Sequence, residues 1–132
     1  MTPRFLLDTH IVIRWLSSPK KLSSEQARVI REAERRRETV AISAFTLIEI
    51  AMLSQTSRKI TGRADQILSA LEMNPIFEIL PITIPIALDA GALTMLRDSA
   101  DRTIVATARV HRLRLLTSDP RIVDSNLVSV ID

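Results

Sequence analysis

Two short apolar runs that each stop at an aspartate constrain this chain more than any other feature. Phe5-Leu6-Leu7 is apolar without a break and ends at Asp8; Leu115-Leu116-Thr117-Ser118 ends at Asp119. A strand that is apolar at every position, not at alternate ones, has both faces covered, as in a parallel sheet lying between layers of helices. Thr39-Val40-Ala41-Ile42, Glu78-Ile79-Leu80-Pro81-Ile82 and Leu127 to Val130 read as further short strands. The one carrying Pro81 belongs near an edge, because proline cannot donate to a ladder.

Helical signals fill the intervals. A helix runs from about His10 to Ser17, stopped by Ser17-Ser18-Pro19, and the capping box Ser23-Ser24-Glu25-Gln26 opens another that runs to about Arg37. Ser43 caps a helix through about Thr56, and the polar run between Gln55 and Gly62 marks a turn. Ala64, Ile67, Leu68 and Leu71 form a helical stripe; Pro85 opens the next helix with Ile86, Ala90 and Leu93 inward; Asp101 starts a last one to about Arg112. Strands alternating with helices predict an α/β fold, a three-layer α/β/α sandwich on a five-stranded parallel sheet. No linker or repeat interrupts residues 1–132, so a single domain is expected.

Composition narrows the function classes. With 132 residues and 46% hydrophobic content the chain can bury its own core, and no apolar run reaches the ~20 residues of a membrane span. The opening Met-Thr-Pro-Arg leads straight into a strand, not a signal peptide, and a soluble cytoplasmic protein is expected. Cysteine is absent, which excludes disulfide and thiol chemistry. The net charge is only +3 although the pI is near 10.2, because without Tyr or Cys almost nothing titrates between His and Lys. The cations are mostly arginine, with lysine confined to Lys20, Lys21 and Lys59; Arg35-Arg36-Arg37 reads as a solvated helix face. Aromatic content of 3% leaves no platform for stacking bases, so nucleic acid would be held through phosphates.

The acidic residues carry the chemistry. Asp8, Asp101 and Asp119 each have an ordinary reading as a cap or turn residue, and Asp98 can share the capping of Asp101. Glu49 is harder to dismiss: it lies within the otherwise apolar Ala44-Phe45-Thr46-Leu47-Ile48-Glu49-Ile50-Ala51-Met52-Leu53, where a carboxylate needs a partner or a place at the margin. With the strands ordered 3-2-1-4-5, Asp8 and Asp119 end neighbouring strands, Glu49 lies about two helical turns after the second strand, and Asp101 opens the helix leading into the fourth. All four then face the crevice beyond the strand ends, where ligands of open α/β sheets collect. Converging carboxylates repel unless protonated or bridged by cations, and hard oxygen donors favour Mg²⁺ or Mn²⁺.

Leu6-Leu7-Asp8-Thr9-His10 with Trp15-Leu16 resembles the opening of PIN-domain ribonucleases of the VapC toxin type. Ser43-Ala-Phe-Thr-Leu-Ile-Glu49-Ile resembles their second acidic segment, Asp98-Ser-Ala-Asp101-Arg102-Thr-Ile-Val-Ala106-Thr-Ala108 the third, and Leu115-Leu-Thr117-Ser-Asp119 the fourth. These pieces span nearly the whole chain in the family's order. Two positions depart: the family often has Pro at Ser99 and Gly at Arg112.

The resemblance implies a Mg²⁺- or Mn²⁺-dependent endoribonuclease toxin with one or two ions held by Asp8, Glu49, Asp101 and Asp119. A cognate antitoxin and a homodimer are the implied partners. An ion there makes bound water a competent nucleophile near neutral pH, so cleavage would not need the RNA 2′-hydroxyl. Thr117 or Ser118 is placed to hydrogen-bond Asp8 and fix its rotamer. Arg102 and Arg14 are candidate phosphate contacts, although a salt bridge to a nearby carboxylate is the simpler role for each. His10 reads as a helix-start or packing residue, His111 as a partly buried helix residue, and Trp15 as core or interface.

The succession Ile48, Ile50, Ala51, Met52 and Leu53 exceeds one buried stripe, which fits either burial on two sides or a groove for a partner helix. Two rival functions remain in view. A haloacid-dehalogenase-like phosphatase needs a second Asp two residues after Asp8, where His10 stands. A non-catalytic protein-binding module on the same fold would keep the caps without needing all four acids.

Overall fold

A computed structural model describes residues 3–56 and 64–132. Its sheet has five strands in the order β3-β2-β1-β4-β5, every neighbouring pair parallel, in agreement with the sequence reading. The strands are β1 (Phe5–Leu7), β2 (Val40–Ser43), β3 (Phe77–Leu80), β4 (Arg114–Leu116) and β5 (Val130–Ile131). The helices are α1 (Thr9–Ser17), α2 (Ser24–Arg36), α3 (Ala44–Thr56), α4 (Ala64–Met73), α5 (Ile84–Ala92), α6 (Ser99–His111) and α7 (Pro120–Val123), with a 3₁₀ turn at Pro19–Lys21. The polar turn expected between Gln55 and Gly62 falls mostly outside the described residues.

Successive strand residues point to opposite faces, which is why the apolar runs are unbroken. Leu7, Ile42 and Leu116 pack with Ile11 and Val12 of α1, Val29 and Ile30 of α2, Ile50 of α3 and Ile67 and Leu71 of α4. Their neighbours Leu6, Ala41 and Leu115 pack on the other face with Ile86 of α5, Ile104, Val105 and Ala108 of α6 and Ile122 of α7. Trp15 belongs to the first core, half-buried and tilted against Phe77 with ring centroids 5.1 Å apart. β3 is the edge strand, and Pro81 lies just past its end, so proline costs the ladder nothing there.

Two expectations need correction. Asp98, not Asp101, caps α6: its Oδ1 accepts the backbone N–H groups of Ala100 and Asp101 at 2.7 and 3.1 Å. Asp101 therefore sits in the first turn with its carboxylate not used for capping. His111, the last residue of α6, is exposed and not partly buried.

Arg112 adopts φ 56° at the end of α6. A side chain in this left-handed conformation is strained, and only glycine enters it freely. Replacing Arg112→Gly should therefore stabilise the fold by about 1 kcal/mol, raising Tm by roughly 3–4 °C in a thermal melt.

Candidate functional site

β1 and β4 lie side by side, so their carboxyl ends bring residues more than a hundred positions apart into contact. Asp8 leaves β1 as the N-cap of α1 and is buried, 5% exposed. Its Oδ1 accepts the Thr9 N–H at 2.8 Å, and its Oδ2 accepts the hydroxyl of Thr117 at 2.7 Å. Ser118, the other residue considered for that bond, points elsewhere: its Oγ accepts from Nε2 of Gln26 at 3.0 Å.

His10 closes one side of the site. Its Nε2 accepts the backbone N–H of Ser118 at 3.0 Å, so the ring proton rests on Nδ1, 3.5 Å from Oδ2 of Asp8. Burial holds its pKa below the ordinary value, and the charge of Arg14 one turn along α1 adds to that, against the pull of Asp8 and Asp119. The imidazole is neutral at physiological pH and braces the turn after β4.

Glu49 is half-buried on α3 and accepts the hydroxyl of Thr9, which also bonds Thr46 at 3.0 Å. Its pKa is raised, first by burial and then by the charges of Asp8 and Asp98, although the Thr9 bond works the other way. Asp101 is the most perturbed. Burial, followed by the neighbouring Asp98, Asp119 and Asp8, pushes its pKa up to about 6, with Arg121 opposing. Asp119, the N-cap of α7, goes the other way because the guanidinium of Arg121 clasps it.

The acids thus reach one end of the sheet and feel each other's charge, but they do not meet at a point. Among the described residues, no three His, Asp or Glu side chains stand close enough to hold one ion as they lie. Asp119 and Asp101 instead share Arg121, at 2.9 and 3.5 Å from its Nη2. The donor chemistry nonetheless fits a hard divalent cation: carboxylate oxygens, hydroxyl neighbours, and mutual repulsion that a cation relieves.

Of the two arginines singled out from sequence, Arg102 is occupied by the backbone carbonyl of Leu96, not by a carboxylate, and closes the loop before α6. Arg14 lies close enough to His10 for its charge to act on the imidazole. Sequence reasoning missed Arg121, whose proximity depends on α7, a helix where the Asp119-Pro120 pair reads as a turn. It also missed Gln26 as anything but a cap residue; the 3.0 Å bond to Ser118 crosses 92 positions and has no local signal.

The PIN domain family profile matches residues 5–125. The chain belongs to the PIN domain family. Its relatives include Ribonuclease VapC22 of Mycobacterium tuberculosis, 33% identical over 120 residues that cover 89% of this chain and 88% of that protein. A toxin-antitoxin complex from Klebsiella pneumoniae contains a chain similar in structure at 26% identity, with a TM-score of 0.67 over 96% of this chain and 95% of that one. VapBC2 from Rickettsia felis, crystallised with a promoter DNA fragment, shares the fold at 16% identity, with a TM-score of 0.72 over 96% of both chains. Asp8, Glu49, Asp101 and Asp119 all fall inside the part matched as a PIN domain.

Proposed function

We propose that this PIN-domain protein is a metal-dependent endoribonuclease and the toxin of a toxin–antitoxin pair. The observation that carries the metal assignment is Asp101. It is relieved of capping by Asp98, lies in the first turn of α6, and is surrounded by enough negative charge to bring its pKa to about 6. A carboxylate kept in such company without a structural bond of its own to a backbone amide is suited to a cation. The relationship to a ribonuclease at 33% identity supplies the substrate class.

Asp8, Asp101 and Asp119, with Glu49 directly or through water, are the residues that would hold Mg²⁺ or Mn²⁺. A cation held there would supply a water of lowered pKa and positive charge against that building on the phosphate. Thr117 holds Asp8 in one rotamer, and Thr9 does the same for Glu49. His10, neutral and bonded to Ser118, keeps the turn that presents Asp119. Arg14, whose charge reaches His10, is one arginine that can meet an incoming RNA phosphate.

The antitoxin is assigned to the outer face of α3, where Ile48 and Met52 are 53% and 65% exposed while Ile50 on the opposite side is fully buried. A second copy of the chain is assigned to the exposed Ile84 and Leu88 of α5. No helix among the described residues is long and apolar enough to cross a membrane, and we place the protein in the cytoplasm with its RNA.

Purified protein incubated with structured RNA should cleave it with Mn²⁺ or Mg²⁺ and stop on addition of EDTA. Glu49→Gln should slow cleavage by roughly tenfold to a hundredfold, the range for residues that hold or orient a metal ligand. A non-catalytic binding module would cleave nothing under any of these conditions.

A further inference from the structure

Arg121 stands apart from the other cations at this end of the sheet. It is the second residue of α7, and Asp119 caps that helix, so both parts of Arg121 converge on one carboxylate. The backbone N–H reaches Oδ1 of Asp119 at 3.0 Å, and the guanidinium reaches Oδ1 at 3.2 Å and Oδ2 at 2.9 Å. The same Nη2 lies 3.5 Å from Oδ2 of Asp101. No other side chain among the described residues is ion-paired to two of the candidate metal ligands.

We propose that Arg121 is the chain's own counter-cation for this site: its guanidinium holds Asp101 and Asp119 in the metal-free protein and yields them to the divalent ion. This rests on reading the acids as a metal site. Among the described residues no other cation is ion-paired between Asp8, Glu49, Asp101 and Asp119, and the repulsion of Asp101 and Asp119 would otherwise push α6 from α7. Arg121 supplies that positive charge at the one place where the two helices' carboxylates meet.

The contact is also built to be given up. The Arg121 side chain is 68% exposed, and ion pairs so open to water are weak and easily exchanged. Ile122 next to it is fully buried and pins α7, so the guanidinium can leave without moving the helix. The backbone N–H of Arg121 remains on Asp119 after the side chain has gone, which preserves the orientation of that ligand. The freed planar fork, which suits a phosphate, is then left beside the bound ion.

Titration calorimetry of the full chain with Mn²⁺, without RNA, tests this. Arg121→Ala should bind the ion roughly fivefold or more tightly than wild type, about 1 kcal/mol, while Asp101→Asn should bind it more weakly. In ¹⁵N-labelled wild type, the Nε–Hε resonance of Arg121 should shift on adding Mg²⁺ as the clasp opens. Unchanged or weaker Mn²⁺ binding by Arg121→Ala, with binding still lost in Asp101→Asn, overturns the role of Arg121 and leaves the metal site standing. Absence of Mn²⁺ binding in every form overturns the metal site and this proposal together.

Discussion

Asp101→Asn should lose RNA cleavage by ~10²–10³-fold and yet melt at a higher temperature than wild type at pH 8 in EDTA. The two effects share one cause. The carboxyl of Asp101 titrates at about 6 in the fold against 3.8 in an ordinary setting, with burial first among the causes and Asp98, Asp119 and Asp8 after it. A raised carboxyl pKa means that the folded state disfavours the charge. Well below 3.8 the group is neutral whether the chain is folded or not, and nothing is lost. As pH rises towards 6, the unfolded chain ionises first and the folded state loses stability, a loss complete above that value. Asparagine carries no charge, so the variant should match wild type at about pH 3 and exceed it at pH 8, by roughly 1–2 kcal/mol. Added Mg²⁺ should raise the Tm of wild type and do much less for the variant. A variant that is less stable at pH 8 would show that Asp101 is held by structure and not by function.

Gln26→Leu should have the largest effect on stability, about 3 kcal/mol, or near 10 °C in Tm. Gln26 is fully buried. Its Oε1 accepts the Ser23 N–H at 3.1 Å, while Nε2 faces the carbonyls of Ile131 and Thr117 at 3.2 and 3.4 Å and Oγ of Ser118 at 3.0 Å. Leucine fills the space but takes the donor from the Thr117 carbonyl and from Oγ of Ser118, while Ile131 keeps the Thr117 N–H; an orphaned buried oxygen costs more than its bond contributes. The same bonds fix the turn Thr117-Ser118-Asp119, so kcat should fall about tenfold at temperatures where the variant is still folded, with little change in KM. Chemical denaturation and steady-state kinetics separate the two effects. A kcat equal to wild type would confine Gln26 to a structural role.

The sheet was legible because its grammar is local. Leu6 and Leu7, Ala41 and Ile42, and Leu115 and Leu116 each supply one residue to either face, and that demand writes itself as an unbroken apolar run. The capping box at Ser23 and Gln26 was equally plain, since both bonds lie within one turn. Asp8, Glu49, Asp101 and Asp119 stand out as candidates by their places relative to strands and by the resemblance to a known family. What escaped notice depended on distance or on short elements. The four-residue α7 is too brief for periodicity, so Arg121 could not be seen as a neighbour of Asp101, twenty positions earlier. The capping of α6 was misassigned because Asp98 and Asp101 are three apart and both suit an N-cap; only the amides of Ala100 and Asp101 decide between them.

The bond from Thr117 to Asp8 joins positions 109 apart, and β4 lies in the sheet between β1 and β5. Synthesis from the amino end therefore delivers Asp8 long before Thr117, Ser118 and Asp119. Until β4 emerges and docks beside β1, a growing chain has its first acidic residue but no partner to orient it, and no Asp119 at all. Structures dominated by such distant pairings also form slowly. The acidic end of the sheet is thus incomplete while β4 is still being made, and it is assembled only when translation of this region is done.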